Sequence, residues 1–309
     1  MKLSVTLSRR PGVMRGVAGT ILPLTLLVTS LPSAATDSSV DVDDGQSPAQ
    51  ANDEETSAPR PDVGARTPQA SGDQLKLLLG GGAINLPRYP GSAIDYTRGL
   101  PFVSLGYGRY FFGADPGAGA GAPAGLGAYL LRDKRWSLGV DVGGEGRMPR
   151  RASDAPVLRG WGDIPGAVRA GAFVSYRMPW MLITSSVSIA NHNQGVVASL
   201  GAMTGYRPTP RLTLSIGPRV TWASSQYAMT FFGVTTAQSQ IAGIAPHPAR
   251  AGLNFLGGTA GANYALSTRW SVAATVSYGK LQGDAADSPV TTAKIQRMYG
   301  GFLIYRLAP

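Results

Sequence analysis

The side chains that could carry chemistry are few in this chain of 309 residues. It contains no Cys and two His, which excludes thiolate catalysis and Cys-bound metal. His192 lies between Asn191 and Asn193, and His247 lies between Pro246 and Pro248. Neither His has a Ser or an acid at a spacing that predicts a hydrogen-bonded triad. We therefore expect no catalytic residue, no cofactor site and no metal site.

One pair of carboxylates and two glycine-rich runs also have residue types that occur in binding sites. Asp284 and Asp287 precede Ser288-Pro289, a pair typical of a turn, so a structural loop is favoured over acid chemistry or calcium binding. Gly80 to Gly82 and residues 117–127 have no adjacent Gly-Lys-Ser/Thr, so they are not phosphate-binding loops. Glycines in such runs are more typical of bends in a sheet.

Two N-terminal segments differ in composition from the rest of the chain. In residues 1–35, four cations (Lys2, Arg9, Arg10, Arg15) precede an apolar stretch and then Ser33-Ala34-Ala35, which predicts an ordinary secretory signal peptide. Residues 36–72 contain eight acids, two Arg and no aromatic residue, which predicts a disordered, acidic periplasmic segment with a net charge of −6. Subtracting both segments from the overall +10 leaves +12 on residues 73–309, the predicted folded domain.

The folded domain alternates apolar and polar residues with a period of two. Segments 136–143, 211–223 and 269–280 each have one apolar face and one face of small or polar residues, as in β-strands. No segment after residue 35 is long and apolar enough for a transmembrane helix. The strands are about 10 to 12 residues long, and aromatic residues stand at the ends of the apolar faces (Trp136, Trp222, Trp270, Tyr278). These features favour an all-β, antiparallel transmembrane barrel over a secreted sandwich.

The alternation predicts about twelve strands, and ten remain possible because the third is short. They are placed at residues 74–82, 100–107, 110–114, 125–131, 136–145, 166–177, 180–190, 196–206, 211–222, 251–266, 269–281 and 295–307. Short and long connections alternate, as in bacterial barrels with periplasmic turns and external loops. Arg169, Arg177 and Arg219 fall on the polar face and are predicted to line the lumen, which Phe173 and Met203 could obstruct.

Four motifs give the chain a resemblance to a known family. They are Tyr89-Pro90-Gly91-Ser92, Leu158 to Ile164, Phe231 to Val234 and Leu281 to Pro289, in this order along residues 74–307. The chain resembles the MipA/OmpV family of outer-membrane barrels. The motif residues singled out are Tyr89, Pro90, Gly91, Ser92, Gly160, Asp163, Phe232, Gly233, Val234, Gly283, Asp284, Asp287, Ser288 and Pro289.

This resemblance implies a non-enzymatic protein in the outer membrane of a Gram-negative bacterium, reached by Sec export. It implies a scaffold for murein-synthesising and murein-cleaving enzymes, with a lytic transglycosylase and a penicillin-binding protein as partners, or a role in envelope maintenance. A small pore or an adhesin is the alternative. Members usually end in an aromatic residue read by the barrel-insertion machinery. Here the chain ends in Ala308-Pro309, so the resemblance implies either weaker insertion signalling or Tyr305 serving in place of the terminal aromatic.

The basic residues suggest a lipid contact rather than a nucleic-acid site. Arg and Lys are dispersed and not interleaved with stacking aromatics, so no nucleic-acid partner is expected. The densest external group is expected to contact outer-membrane lipid, by pairing with lipopolysaccharide phosphates: Arg147, Arg150, Arg151 and Arg159.

Overall fold

The computed structural model describes residues 75–113, 125–144 and 150–307, and these form one closed antiparallel barrel. The expected segments 1–35 and 36–72 lie outside the described residues. The twelve strands are β1 (Lys76–Pro87), β2 (Asp95–Tyr107), β3 (Tyr110–Gly113), β4 (Gly125–Arg132), β5 (Trp136–Gly144), β6 (Val168–Arg177), β7 (Leu182–Ala190), β8 (Val196–Thr209), β9 (Leu212–Ala223), β10 (Gly252–Ala265), β11 (Trp270–Leu281) and β12 (Ile295–Arg306). Each strand pairs with its neighbours in sequence, and β1 closes the barrel by pairing with β12.

In the part of the chain that the structure describes, the short helices lie in connections between strands. They are two 3₁₀ turns (Ala152–Asp154 and Pro156–Leu158) and three α-helices, α1 (Ser225–Phe232), α2 (Thr236–Ala242) and α3 (Gly283–Asp287). Ser224 caps α1 by accepting the N–H of Tyr227, and Thr235 forms a capping box with Gln238 at the start of α2. Within the described ranges, none of these helices has the length and apolar character needed to cross a membrane.

The twelve-stranded antiparallel barrel is confirmed, and the ten-strand alternative is wrong. The four residues of β3 pair with β2 on one side and with β4 on the other, so this short strand belongs to the closed ladder. The predicted connection at 83–99 is also wrong, because β1 and β2 continue their pairing to Pro87 and Asp95. Polar residues such as Arg98 on the inward face interrupt the alternation, so the sequence did not predict the first part of β2 as a strand.

The outward face of the barrel is apolar and ends in aromatic residues. Large side chains such as Ile216, Val276 and Leu256 are 60%, 48% and 50% exposed because they point away from the lumen. Near the short connections, Trp136 stacks on Tyr176 at 4.5 Å and Trp270 on Tyr305 at 4.8 Å. An apolar band flanked by aromatics is the surface that a transmembrane barrel presents to lipid.

Inside the barrel, aromatic rings lie over glycines of neighbouring strands. Phe111, Tyr129 and Phe173 form a buried cluster with ring centroids 5.4 to 6.0 Å apart. A Cβ at Gly127 would collide with the Phe111 ring, and one at Gly139 would collide with the Phe173 ring. These glycines therefore make room for rings that fill part of the lumen.

The two ends of the barrel are built differently. One end, called here the short-turn end, contains the tight turns at 108–109, 133–135, 178–181, 210–211 and 266–269, together with the starts of β1 and the end of β12. The opposite end, called the loop end, contains the longer connections, of which the structure describes 88–94, 150–167, 191–195, 224–251 and 282–294.

Candidate functional site

The four sequence motifs converge at the loop end, although they are far apart in the chain. The Tyr89 hydroxyl donates to the Val290 carbonyl at 3.4 Å, and the Ser288 hydroxyl donates to the Phe232 carbonyl at 2.5 Å. The Gln238 side chain donates to the Trp161 carbonyl at 3.3 Å. Connections 88–94, 150–167, 224–251 and 282–294 thus form one interlocked unit, which we call the loop cap.

The loop cap has its own apolar centre. Phe232, Leu158 and Val290 are each 0% exposed. Phe232 and the other buried residues of α1 pack with Ala223 and Leu281, at the loop-end limits of β9 and β11, so the cap is continuous with the barrel interior. A second cluster joins residues of all four connections: Tyr89, Ala155, Leu158, Trp161, Val234 and Val290.

The Tyr89–Ser92 motif docks the first connection of the cap onto the last. Gly91 has a φ of +91°, and a Cβ there would also crowd Thr291, so this position requires glycine. Its carbonyl accepts the N–H groups of Thr292 and Ala293 at 2.8 and 2.9 Å. Pro90 precedes this turn, and Ser92 closes it by donating its hydroxyl to the Ile94 carbonyl at 2.9 Å.

The acids of the last motif make structural contacts and do not form a carboxylate pair. Asp284 accepts the backbone N–H of Arg250 at 2.7 Å, whereas Asp287 pairs with Lys294 at 3.0 Å on the exposed surface. The Nε2–H of His247 donates to the backbone carbonyl of Asp284 at 2.9 Å. Within the described residues, no group of three or more His, Asp or Glu side chains could hold a metal ion.

The remaining motif residues hold bends in the cap. Asp163 accepts the backbone N–H of Ala152 at 2.8 Å, and Gly160, with a φ of +83°, lies against Ile241 of α2. Gly233 ends α1 with bonds from its N–H to the carbonyls of Ala228 and Met229. Gly283 begins α3 with a φ of +51°, and Pro289 follows the buried Ser288.

Arg150 does not fit the predicted contact with lipopolysaccharide. It is 4% exposed, its Nη1 donates to the Phe231 carbonyl at 3.0 Å, and its guanidinium lies 5.9 Å from the Trp161 ring. Burial lowers the pKa of Arg150 to about 10, and burial likewise raises the pKa of the neighbouring Tyr89 above 10.0. The predicted contact is therefore wrong for Arg150, because its side chain points into the cap. Arg151 and Arg159 are exposed, and Arg147 lies outside the described residues.

The short-turn end carries charge of almost one sign. Five cations lie in its turns, and five more lie on inward-facing positions where strands reach this end. We call these ten residues the basic rim: Arg109, Lys134, Arg135, Arg211 and Arg269 in turns, and Lys76, Arg132, Arg177, Arg207 and Arg306 on strands. Asp133 is the single acid in these turns and strand ends.

Asp133 accepts hydrogen bonds from the backbone of its own turn. Its Oδ1 accepts the backbone N–H groups of Arg135 and Trp136 at 2.7 and 2.6 Å. The bonds from Trp136 and Arg135, with the nearby Arg135 charge, hold the pKa of Asp133 below its ordinary value of 3.8. The carboxylate therefore shapes the turn, and it is one negative charge beside ten cations.

The three arginines predicted to line the lumen face inward, at different depths. Arg177 lies at the short-turn end, Arg219 in the middle of β9, and Arg169 beneath the loop cap, 5.7 Å from the ring of Tyr227. Asp141 is the one acid among the described inward-facing strand residues. The sequence indicated these three inward arginines, but it did not indicate that cations gather at the short-turn end.

No curated protein matches the chain. Among solved structures, the outer-membrane expressed OmpT of Vibrio cholerae is 9% identical, with a TM-score of 0.34 over 75% of this chain and 97% of that one.

An outer membrane channel from Pseudomonas putida F1 is 12% identical, with a TM-score of 0.35 over 76% and 96% of the two chains. A bacterial polysaccharide outer membrane secretin is 11% identical, with a TM-score of 0.40 over 76% and 99%. A family model described as MltA-interacting protein MipA matches residues 79–307, so the chain belongs to the MipA family.

Proposed function

We propose that this protein is an outer-membrane anchor whose short-turn end binds a murein-cleaving enzyme of the MltA type in the periplasm. The observation that carries the proposal is the basic rim, ten cations against one acid at one end of the barrel. A surface of one sign attracts partners of the opposite sign and speeds their association.

The orientation of the barrel supports this assignment. Tight turns and chain termini of bacterial barrels face the periplasm, and long loops face outward. The short-turn end, where β1 begins and β12 ends, would therefore face murein and its enzymes. The family description, MltA-interacting protein, names the same class of partner.

The test is a binding measurement with purified components. The full chain in detergent would be titrated with a lytic transglycosylase of the MltA type, and in parallel with a penicillin-binding protein. Lys134→Glu with Arg135→Glu should weaken transglycosylase binding by about tenfold, since exposed ion pairs contribute about 0.2 to 1 kcal/mol each and reversal adds repulsion.

A matched pair of reversals at the other end controls for net charge. Arg151→Glu with Arg159→Glu changes the charge equally at exposed positions of the loop end and should leave binding unchanged. Equal weakening by the two double variants, or no binding by the folded wild-type chain, would overturn the proposal.

An anion-selective pore is the second candidate, and the inward arginines favour it. The inward face carries Arg98, Arg169 and Arg219 in addition to the rim, against Asp141 alone. Cationic linings favour anions in a water-filled lumen. Planar-bilayer recordings should then show anion preference that Arg219→Gln reduces; absence of conductance from inserted protein would rule the pore out.

A further inference from the structure

Three polar residues lie side by side on the lumen wall, on β8, β9 and β10 near the short-turn end. Thr213 of β9 pairs in register with Asn263 of β10. On its other side, Thr213 faces Arg207 and Pro208 of β8. Neighbouring strands are about 4.8 Å apart, so about 10 Å separates the backbones of Arg207 and Asn263. The long side chain of Arg207 can reach over Thr213 toward Asn263, and the three residues form one polar patch.

A β-bulge in β8 directs Arg207 into the lumen. Two residues of β8 oppose one residue of β9 at this point, and the register of the two strands shifts here. Pro208 has no backbone N–H to donate to the ladder, which favours a bulge at its position. Tyr206, the residue before the bulge, is 43% exposed on the outer face. Arg207 therefore follows on the inner face, and bulges commonly re-aim a side chain in this way.

Arg207 presents an unused edge of its guanidinium group. Its Nε and Nη2 atoms are buried, and neither has a hydrogen-bond partner among the residues that the structure describes. The N–H groups of these two nitrogens run parallel, and together they form the fork that binds two oxygens of one carboxylate or phosphate. Buried donors are almost always paired in folded proteins, so this edge has the character of a ligand-binding group.

Asn263 presents further hydrogen-bonding groups in the same patch. It is 3% exposed, and neither its Oδ1 nor its Nδ2 has a hydrogen-bond partner within the described ranges. Its amide can donate two hydrogen bonds and accept others, and Thr213, which is 6% exposed, adds a hydroxyl between Asn263 and Arg207. A ligand that satisfies the patch therefore combines an oxyanion for Arg207 with a nearby amide or hydroxyl for Asn263.

The acid on the described part of the lumen face lies away from this patch. The register pairs of Asp141 run through Gly171 and Ser188. They meet β8 at Val197, near the loop end of that strand, whereas Arg207 lies near its short-turn end. The charge of Arg207 is therefore available to an anion from solution.

We propose that Arg207, Thr213 and Asn263 form a binding site for a small oxyanion, a carboxylate or phosphate that carries a neighbouring amide or hydroxyl group. The Arg207 fork donates to two oxygens of the anion, and Asn263 binds the neighbouring group. The site lies inside the barrel near the short-turn end. It requires neither enzyme binding by the basic rim nor conduction through the lumen.

The test follows the Nε–H resonance of Arg207 in the full chain. The protein would be labelled with ¹⁵N-arginine in neutral detergent, and the Arg207 signal would be assigned by its absence from Arg207→Lys. Titration with N-acetylglycine, and separately with glycerol phosphate, should move this signal to saturation, whereas sodium chloride at equal ionic strength should not. Saturation by one of the two anions alone would support the site and identify the source of its oxyanion.

Variants compared by titration calorimetry test the role of each side chain. Arg207→Lys keeps the charge but lacks the fork, so it should weaken binding by about tenfold. Asn263→Leu has a similar volume without the amide, and it should weaken N-acetylglycine binding severalfold. Arg211→Lys is the matched control, because Arg211 is exposed in the turn between the same two strands; its affinity should equal that of the wild type.

Two results would overturn the proposal. One is an Arg207 signal that neither anion moves, or that chloride moves equally. The other is equal affinity of Arg207→Lys and the wild type, since the attraction would then depend on charge alone. Heat-modifiable migration would verify that each variant barrel is folded. Calorimetry of the wild-type chain needs no substitution, so absence of binding there would also overturn the site.

Discussion

The loop end and the short-turn end of this barrel use their side chains in opposite ways. At the loop end, Phe232, Leu158 and Val290 are completely buried, and every described acid of the connections contacts a neighbouring residue of the cap. At the short-turn end, the turns bury no large side chain and hold cations that point to solvent. One end is built as a small core, and the other as a charged surface.

This difference indicates that the loop cap contributes to folding stability and that the basic rim serves recognition. Burial of apolar side chains contributes about 1.5 to 3 kcal/mol each, whereas exposed charges remain hydrated and contribute little to folding. The loop cap should therefore respond to substitutions by losing structure. The basic rim should respond by losing attraction for anions, with its fold intact.

Phe232→Ala should have the largest effect. Phe232 is 0% exposed at the centre of the cap, and deleting a buried ring costs about 3 to 5 kcal/mol. We expect the cap to open while the strand ladder persists, so that limited proteolysis cleaves within 224–251 in the variant and spares the wild type.

Ile241→Ala is the matched control, because Ile241 lies in the same connection and is 71% exposed. It should leave proteolysis unchanged. Equal protection of Phe232→Ala and wild type would show that the cap has no apolar core of its own.

Arg150→Met should have the second-largest effect on stability, because it removes a hydrogen bond. Arg150 donates to the buried Phe231 carbonyl at 3.0 Å, and Met fills a similar volume without a donor. A hydrogen bond from a charged donor contributes about 1.5 to 3 kcal/mol, and its loss is partly offset because a buried charge is removed. Denaturant unfolding followed by tryptophan fluorescence should show the loss, whereas Arg151→Met, at an exposed position, should show none.

The sequence predicted the barrel well because alternation is a local signal. In segments such as 211–223 and 269–280, the alternation shows which residues face inward and which face outward. The observed strands β9 and β11 have nearly the same bounds as these segments. The alternation did not predict the full length of strands whose lumen face carries large or charged residues. In β1 and β2, Ile84, Arg98 and Leu100 all point inward, so the polar and apolar faces are mixed.

The cap could not be predicted in this way, because its contacts join residues distant in sequence. Tyr89 meets Val290, and Arg150 meets Phe231. The motifs indicated which connections carry the family's residues, but a sequence does not show which side chains are buried. Arg150 was therefore predicted to be an external cation. The basic rim follows from topology, since it exists only once turns separated by up to 160 residues share one end, as Arg109 and Arg269 do.

Arg151→Ala with Arg159→Ala tests whether the loop end also has a recognition role. Both side chains are exposed, and in the outer leaflet they would pair with lipopolysaccharide phosphates, as proposed from the sequence. Each exposed pair contributes at most about 1 kcal/mol, so we expect a severalfold loss of lipopolysaccharide retained on purification. Unchanged retention would remove the contact, and Lys134→Ala with Arg135→Ala serves as the control.

The smallest effect is expected from titration of Asp133, the single acid of the rim turns. Its pKa lies below 3.8 in the folded chain because Trp136 and Arg135 donate backbone hydrogen bonds to the carboxylate. The turn therefore gains its stabilisation above pH 3.8, the ordinary value, and loses it as the pH falls through the lower, folded pKa. The amide proton resonance of Trp136 should report this loss as a single step with a midpoint below 3.8. Asp133→Asn keeps an acceptor oxygen but cannot titrate, so its Trp136 resonance should show no step. A wild-type midpoint at or above the ordinary value would mean that the carboxylate does not hold its turn, so the turn that presents Lys134 and Arg135 at the short-turn end would not be fixed as the structure shows.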